Sequence, residues 1–243
     1  MPFGYEKMQE APDISRRQAA TETGGSSPPG SPWREPGVLL LAAVLLPVTY
    51  YHASPDWVPA RYQLFWWFSL SFACLFLVPV FIIRYLWREP LYAYGLGYGE
   101  PRVWLRYAIV YAAIMLPVLV VVSRTPQFQD FYPRYHWARQ SAVAFLVSEG
   151  GWLVYFLAWE FFFRGFLLFT MLRRYPPALA IAVQTLPFVL MHLPKPQAEA
   201  MSSVVAGVAL GLMAYRGRSV LGPWLLHFSC AALLDFLVIV WQR

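Results

Sequence analysis

Residues 142–172 read AVAFLVSEGGWLVYFLAWEFFFRGFLLFTML, and how such a stretch can be housed decides the fold. It runs for 31 residues and carries only three charges, Glu149, Glu160 and Arg164. As a helix it would be roughly 46 Å long, against a bilayer hydrocarbon core of about 30 Å. It must therefore tilt, extend beyond the bilayer or break, and Gly150-Gly151 is the expected break. The rest of the chain has the same character. Of 243 residues, 58% are hydrophobic, 18% aromatic and only 13% charged, with a mean hydropathy of +0.45. A water-soluble domain carries about a quarter charged residues, so the natural solvent of this chain is lipid.

Working outward, apolar runs at 38–51, 62–86, 105–122, 178–193, 201–215 and 220–241 join the 142–172 segment. The expected architecture is an all-α, polytopic transmembrane helix bundle of about seven spans, occupying residues 37–243. Trp66 and Trp67 are placed as interface anchors of the second span. A Gly- and Pro-rich connector covers 87–103, and a polar, aromatic stretch covers 123–140. Residues 1–36 are polar and rich in Pro, Gly and Ser. They are expected to form a disordered tail rather than a signal peptide, since no apolar core follows an early basic region.

Basic residues outnumber acidic ones by 19 to 13, and 17 of the 19 are Arg. In a membrane protein this excess marks cytoplasmic loops. With the N-terminus inside, 12 basic residues fall in inner segments and six in outer ones, which predicts a cytoplasmic N-terminus; the expected location, a bacterial inner (cell) membrane, does not follow from these counts. No basic cluster interleaved with aromatics suggests nucleic-acid binding. Cys74 and Cys230 lie inside apolar runs and read as small packing residues.

A charge inside the membrane is costly and needs a partner or a task. Glu160, Arg164, His192, His227 and Asp235 fall within the last four apolar segments, with Glu149 and Glu199 nearer possible ends. Glu160 and Arg164, four apart, share one helix face. Two imidazoles and a carboxylate from three helices could share a proton, orient a water or bind a metal. For a zinc ion the candidate ligands are His192, His227 and Glu160, although no His-Glu-x-x-His helix is present. Asp235 reads as a polar lining group, Glu149 as a marker of the water boundary, and Lys195 with Glu199 as an interfacial turn or a group pointing back into a cavity. A transporter would also bury charges, but no internal repeat or paired broken helices support one.

Three patterns then resemble the intramembrane CAAX-protease and bacteriocin-processing (CPBP, or Abi) family, which includes the type II CAAX prenyl endopeptidases. The family's Glu-Glu-x-x-x-Arg motif is matched by Trp159-Glu160-Phe161-Phe162-Phe163-Arg164. Its Phe-x-x-x-His motif is matched by Phe188 and His192. Its His-x-x-x-Asn/Asp motif is matched by His227, with Ala231 at the last position. The likeness covers residues 140–243. It implies hydrolysis of a peptide bond in a membrane-associated protein or peptide. Glu160, helped by His192, would activate water, His227 would donate to the oxyanion, and Arg164 would hold the Glu160 carboxylate. Two family groups are absent. The first Glu, which helps activate the attacking water, is Trp159, and the final Asn or Asp, which supports the oxyanion site, is Ala231. Either Glu160 or Glu199 serves as base and Asp235 supplies the lost polar group, or the chain is a non-catalytic relative that binds or shields a peptide as an immunity or scaffold protein.

Overall fold

A computed structural model describes residues 33–59 and 62–242. Most of the expected polar tail lies outside this range. Among the described residues the chain is all-helical. The helices are α1 (Arg34–Tyr51), α2 (Gln63–Leu86), α3 (Pro101–Val122), α4 (Pro126–Phe131), α5 (Ala142–Met171), α6 (Pro177–Leu190), α7 (Gln197–Gly217) and α8 (Leu221–Trp241). Short 3₁₀ turns, Leu91–Tyr94 and His136–Arg139, sit in the two long connections.

Local sequence accounts for the helix starts. Proline occupies the first turn of α3, α4 and α6, where its missing N–H costs nothing. The Ser141 hydroxyl caps α5 by accepting from the Ala144 N–H at 3.1 Å.

Five helices, α2, α3, α5, α7 and α8, are long and apolar enough to cross a membrane. This is fewer than the seven or so expected. α6 has only 14 residues, about 21 Å of helix, and α1 opens on Arg34 and Glu35, which shortens its apolar part to a similar length. The bundle's outer surface is apolar, as lipid requires: Leu105, Ile109, Ile114 and Val121 on α3 and Val204, Val205 and Val208 on α7 are exposed.

α5 is the central helix. Phe161, Phe162, Phe163, Phe166 and Leu167 are wholly buried, so this part of the helix is enclosed by α1, α2, α6 and α7. The expected break at Gly150-Gly151 does not occur. α5 runs straight through it, because a glycine is wanted there for close approach: a Cβ on Gly151 would run into the Phe68 ring of α2. The irregularity comes later, where Phe161–Leu167 is π-helical. Gly165, inside that segment, lets the backbone approach the Tyr94 carbonyl and the Phe161 ring.

A polar clamp closes one end of the bundle. Glu89 accepts from Arg34 at 2.6 Å and from the Tyr94 hydroxyl at 2.6 Å, and pairs with Arg173 at 2.5 Å. It thereby joins the start of α1, the connector after α2 and the turn after α5. Partial burial would raise the Glu89 carboxyl, but the hydrogen bonds from Tyr94 and Arg34 and the charges of Arg173 and Arg34 outweigh it and hold the group below its ordinary range.

Candidate active site

α5 and α8 cross in opposite senses and meet where the Trp224 indole N–H donates to the Leu153 carbonyl at 2.9 Å and at two further contacts that involve carboxyl groups. At the first of these two, His227 Nδ1 lies 2.6 Å from Glu160 Oε1. Eleven residues earlier on α5 and eight later on α8, the buried Glu149 and Asp235 carboxyls lie beside one another, with Glu149 Oε1 and Oε2 and Asp235 Oδ1 lacking a hydrogen-bond partner among the described residues. Between them Phe156 packs on the His227 ring, with centroids 4.3 Å apart.

Glu160 and Arg164 are completely buried and pair at 3.3 Å through both Nη1 and Nε, as their spacing predicts. The Arg164 guanidinium also lies over the Phe188 ring, 4.0 Å from its centroid. Glu160 is thus held by a cation on one side and presents Oε1 to His227 on the other.

His192 follows α6, in the turn beyond it. Its Nδ1–H donates to the Phe188 carbonyl at 2.8 Å, since a carbonyl can only accept. Nε2 is then the free nitrogen. The His192 and His227 rings are nearly parallel, with centroids 6.5 Å apart, and both line a cavity of about 730 Å³. Trp159 lines it as well, its ring centroid 6.0 Å from that of His192. Its indole N–H is buried and has no partner among the described residues.

Several expectations need correcting. Glu160 is joined to His227 and not to His192, and its carboxylate lies behind His227 rather than in the cavity wall. Glu199, in the first turn of α7, does point into the cavity, but it is engaged by Lys195 Nζ at 2.7 Å and the Tyr132 hydroxyl at 2.5 Å. Burial, and then the adjacent Glu199 charge, keep the Tyr132 hydroxyl protonated well above the usual phenol range. Asp235 lines the same cavity but pairs with Glu149 instead of supporting His227. Glu149 is buried and does not mark a water boundary. The zinc set of His192, His227 and Glu160 is not assembled: Glu160 uses the Nδ1 side of His227, and no three His, Cys, Asp or Glu among the described residues converge on a metal position.

Tyr132 and the indole of Trp159 were not foreseen as site residues. Tyr132 comes from the loop before α5, where nothing in the sequence marks it. The Glu149 pairing had a signal, since eleven residues is close to three helical turns and sets Glu149 on the Glu160 face.

Comparison with protein families matches residues 65–233 to a family described as type II CAAX prenyl endopeptidase Rce1-like. The chain belongs to this Rce1-like family. Its members are intramembrane endopeptidases that act on membrane-associated peptides. The Rce1-like match takes in α3 to α7 and most of α2 and α8, and with them Trp159, Glu160, Arg164, His192, Glu199, His227 and Ala231. Asp235 lies just beyond it. Comparison with curated proteins and with solved structures found no match.

Proposed function

We propose that the cavity between α5, α6, α7 and α8 hydrolyses a peptide bond of a membrane-associated substrate, with His227 as general base and Glu160 as the carboxylate that orients it. The supporting observation is the chain Arg164–Glu160–His227, in which an ion pair closed off from the cavity delivers an oriented carboxylate to a cavity-lining imidazole. With Glu160 ionised, His227 carries its proton on Nδ1 and turns the Nε2 lone pair to the cavity.

The steps follow from these positions. His227 Nε2 takes a proton from water as its oxygen attacks the scissile carbonyl carbon. Glu160 stabilises the imidazolium so formed. His192, whose Nδ1–H is committed to Phe188, offers Nε2 as an acceptor that orients the same water. The buried indole N–H of Trp159 is the donor for the carbonyl oxygen as it becomes an oxyanion. When the C–N bond breaks, His227 returns its proton to the leaving amine, and a carboxylic acid and an amine result. Trp159 and Ala231 thus mark a rearranged site: the single carboxylate acts through His227, and an indole supplies a donor that Ala231 lacks. Glu199 and Asp235 line the substrate end of the cavity.

α1 and α6 complete the bundle as shorter passes, giving about seven, with the N-terminus cytoplasmic in a bacterial inner membrane. The Arg excess on the inner segments supports this orientation.

The test is cleavage of internally quenched, lipid-anchored peptides by purified protein in lipid nanodiscs. His227→Ala and His192→Ala are each expected to lower the rate by about 10²- to 10⁴-fold. Cleavage by both variants at the wild-type rate would refute the mechanism. Peptide binding without cleavage by the wild type would favour the non-catalytic peptide-binding alternative.

A further inference from the structure

Glu149 and Asp235 form a contact between α5 and α8 that the proposed hydrolysis does not use. Both side chains are more than nine-tenths buried. Glu149 Oε1 and Oε2 and Asp235 Oδ1 are enclosed without a hydrogen-bond partner among the described residues. Among the described residues neither forms an ion pair. The nearest charges are already paired with each other: Lys195 with Glu199, to which Tyr132 also donates. Arg134, at the cavity rim, stacks on Phe131, 5.2 Å from its centroid. Buried acidic groups without a partner are unfavourable and rarely kept without a function.

Asp235 brings one of the two carboxyls to the wall of the cavity that His227 also lines. The two residues are eight apart on α8, which places them about 12 Å apart along the axis and about 80° apart around it. They therefore face the same cavity from two levels. An extended peptide advances about 3.3 Å per residue, so roughly 12 Å corresponds to three or four residues.

We infer that the Glu149–Asp235 pair is a substrate subsite for a basic side chain, Lys or Arg, three or four residues from the scissile bond. The inference deepens the proteolytic reading and rests on it for the register, though not for the binding. A cation entering the cavity meets these carboxyls and gives them the partner that the described residues do not supply. An acidic side chain at that position is disfavoured. The basic substrate residue and the scissile carbonyl then fix the peptide at two points.

The probe is a series of lipid-anchored, fluorescent peptides identical except for Lys, Met or Glu at successive positions on either side of the cleaved bond. Binding is measured by anisotropy on His227→Ala protein in nanodiscs, and cleavage on wild type. Lys three or four residues from the bond is expected to bind about 10- to 100-fold more tightly than Met there, with Glu weakest. Asp235→Asn and Glu149→Gln, introduced separately and checked for monodispersity, should each remove most of that preference. Cleavage that is indifferent to Lys at every position would overturn the subsite and leave the protease reading intact. Position-dependent Lys binding with no cleavage by wild type would uphold the subsite and defeat the protease reading. Because the peptide scan uses only unaltered Glu149 and Asp235, it decides the question even if their variants fail to fold.

Discussion

Substituting Glu160 by Gln tests the centre of the proposed chemistry. Gln has nearly the shape of Glu, so the aromatic packing of α5 is kept, but the charge 2.6 Å from His227 Nδ1 disappears. Two effects follow. The amide stabilises the imidazolium poorly and permits the wrong tautomer of His227. Loss of an oriented general base costs about 10²- to 10⁴-fold in rate, or about 3–5 kcal/mol of barrier. KM should change little, because Glu160 lies behind His227 and does not line the cavity. Separately, Arg164 is left as a fully buried cation without its counter-charge, which destabilises by about 3–5 kcal/mol. The second effect could hide the first through unfolding. The double variant Glu160→Gln/Arg164→Met removes both charges, and the stability lost by the single variant should largely return. The assay is the rate of quenched-peptide cleavage alongside thermal unfolding in the same nanodiscs. The double variant is expected to be folded and slow. If it is folded and as fast as wild type, the Arg164–Glu160–His227 chain has no catalytic role and the mechanism is wrong.

Other features make separate predictions. Trp159→Phe keeps an aromatic ring beside His192 but removes the unpartnered indole N–H, so kcat should fall about 10- to 100-fold with KM little changed in steady-state cleavage. Gly151→Ala places a methyl against the Phe68 ring and should cost about 1–3 kcal/mol, seen as a lowered Tm, with partial recovery in Gly151→Ala/Phe68→Leu. Glu89 makes a pH-dependent contribution. Its carboxyl is held below the ordinary range, so its stabilisation is complete above about pH 4.5 and is lost as pH falls through the lowered value. Thermal unfolding between pH 6 and pH 3 should therefore show a loss of Tm in wild type that is smaller in Glu89→Gln, which begins from a lower Tm at pH 6.

The sequence made legible whatever depends on one helix at a time. Apolar runs located α2, α5 and α8 closely, and the four-residue spacing of Glu160 and Arg164 predicted their ion pair. What it could not show was how helices pair. Which imidazole Glu160 meets is decided by the crossing of α5 over α8, and by the end of α6, which turns the Nδ1 of His192 back onto the Phe188 carbonyl. For the same reason Asp235 looked like a substitute for the polar group missing at Ala231. One turn further along α8, it instead meets Glu149, whose partner no local pattern could identify. Gly150-Gly151 misled because glycine weakens a helix and also permits close packing, and the Phe68 ring determines which role applies. A single helix crossing thus accounts for most of the difference between the expected and observed sites. It places one buried carboxylate against an imidazole and, roughly 12 Å along α8, a second carboxylate against a third. The first contact gives the charge a partner within the protein. The second leaves carboxyls at the cavity wall without a cation among the described residues, so in the proposed scheme it is the substrate that completes this contact.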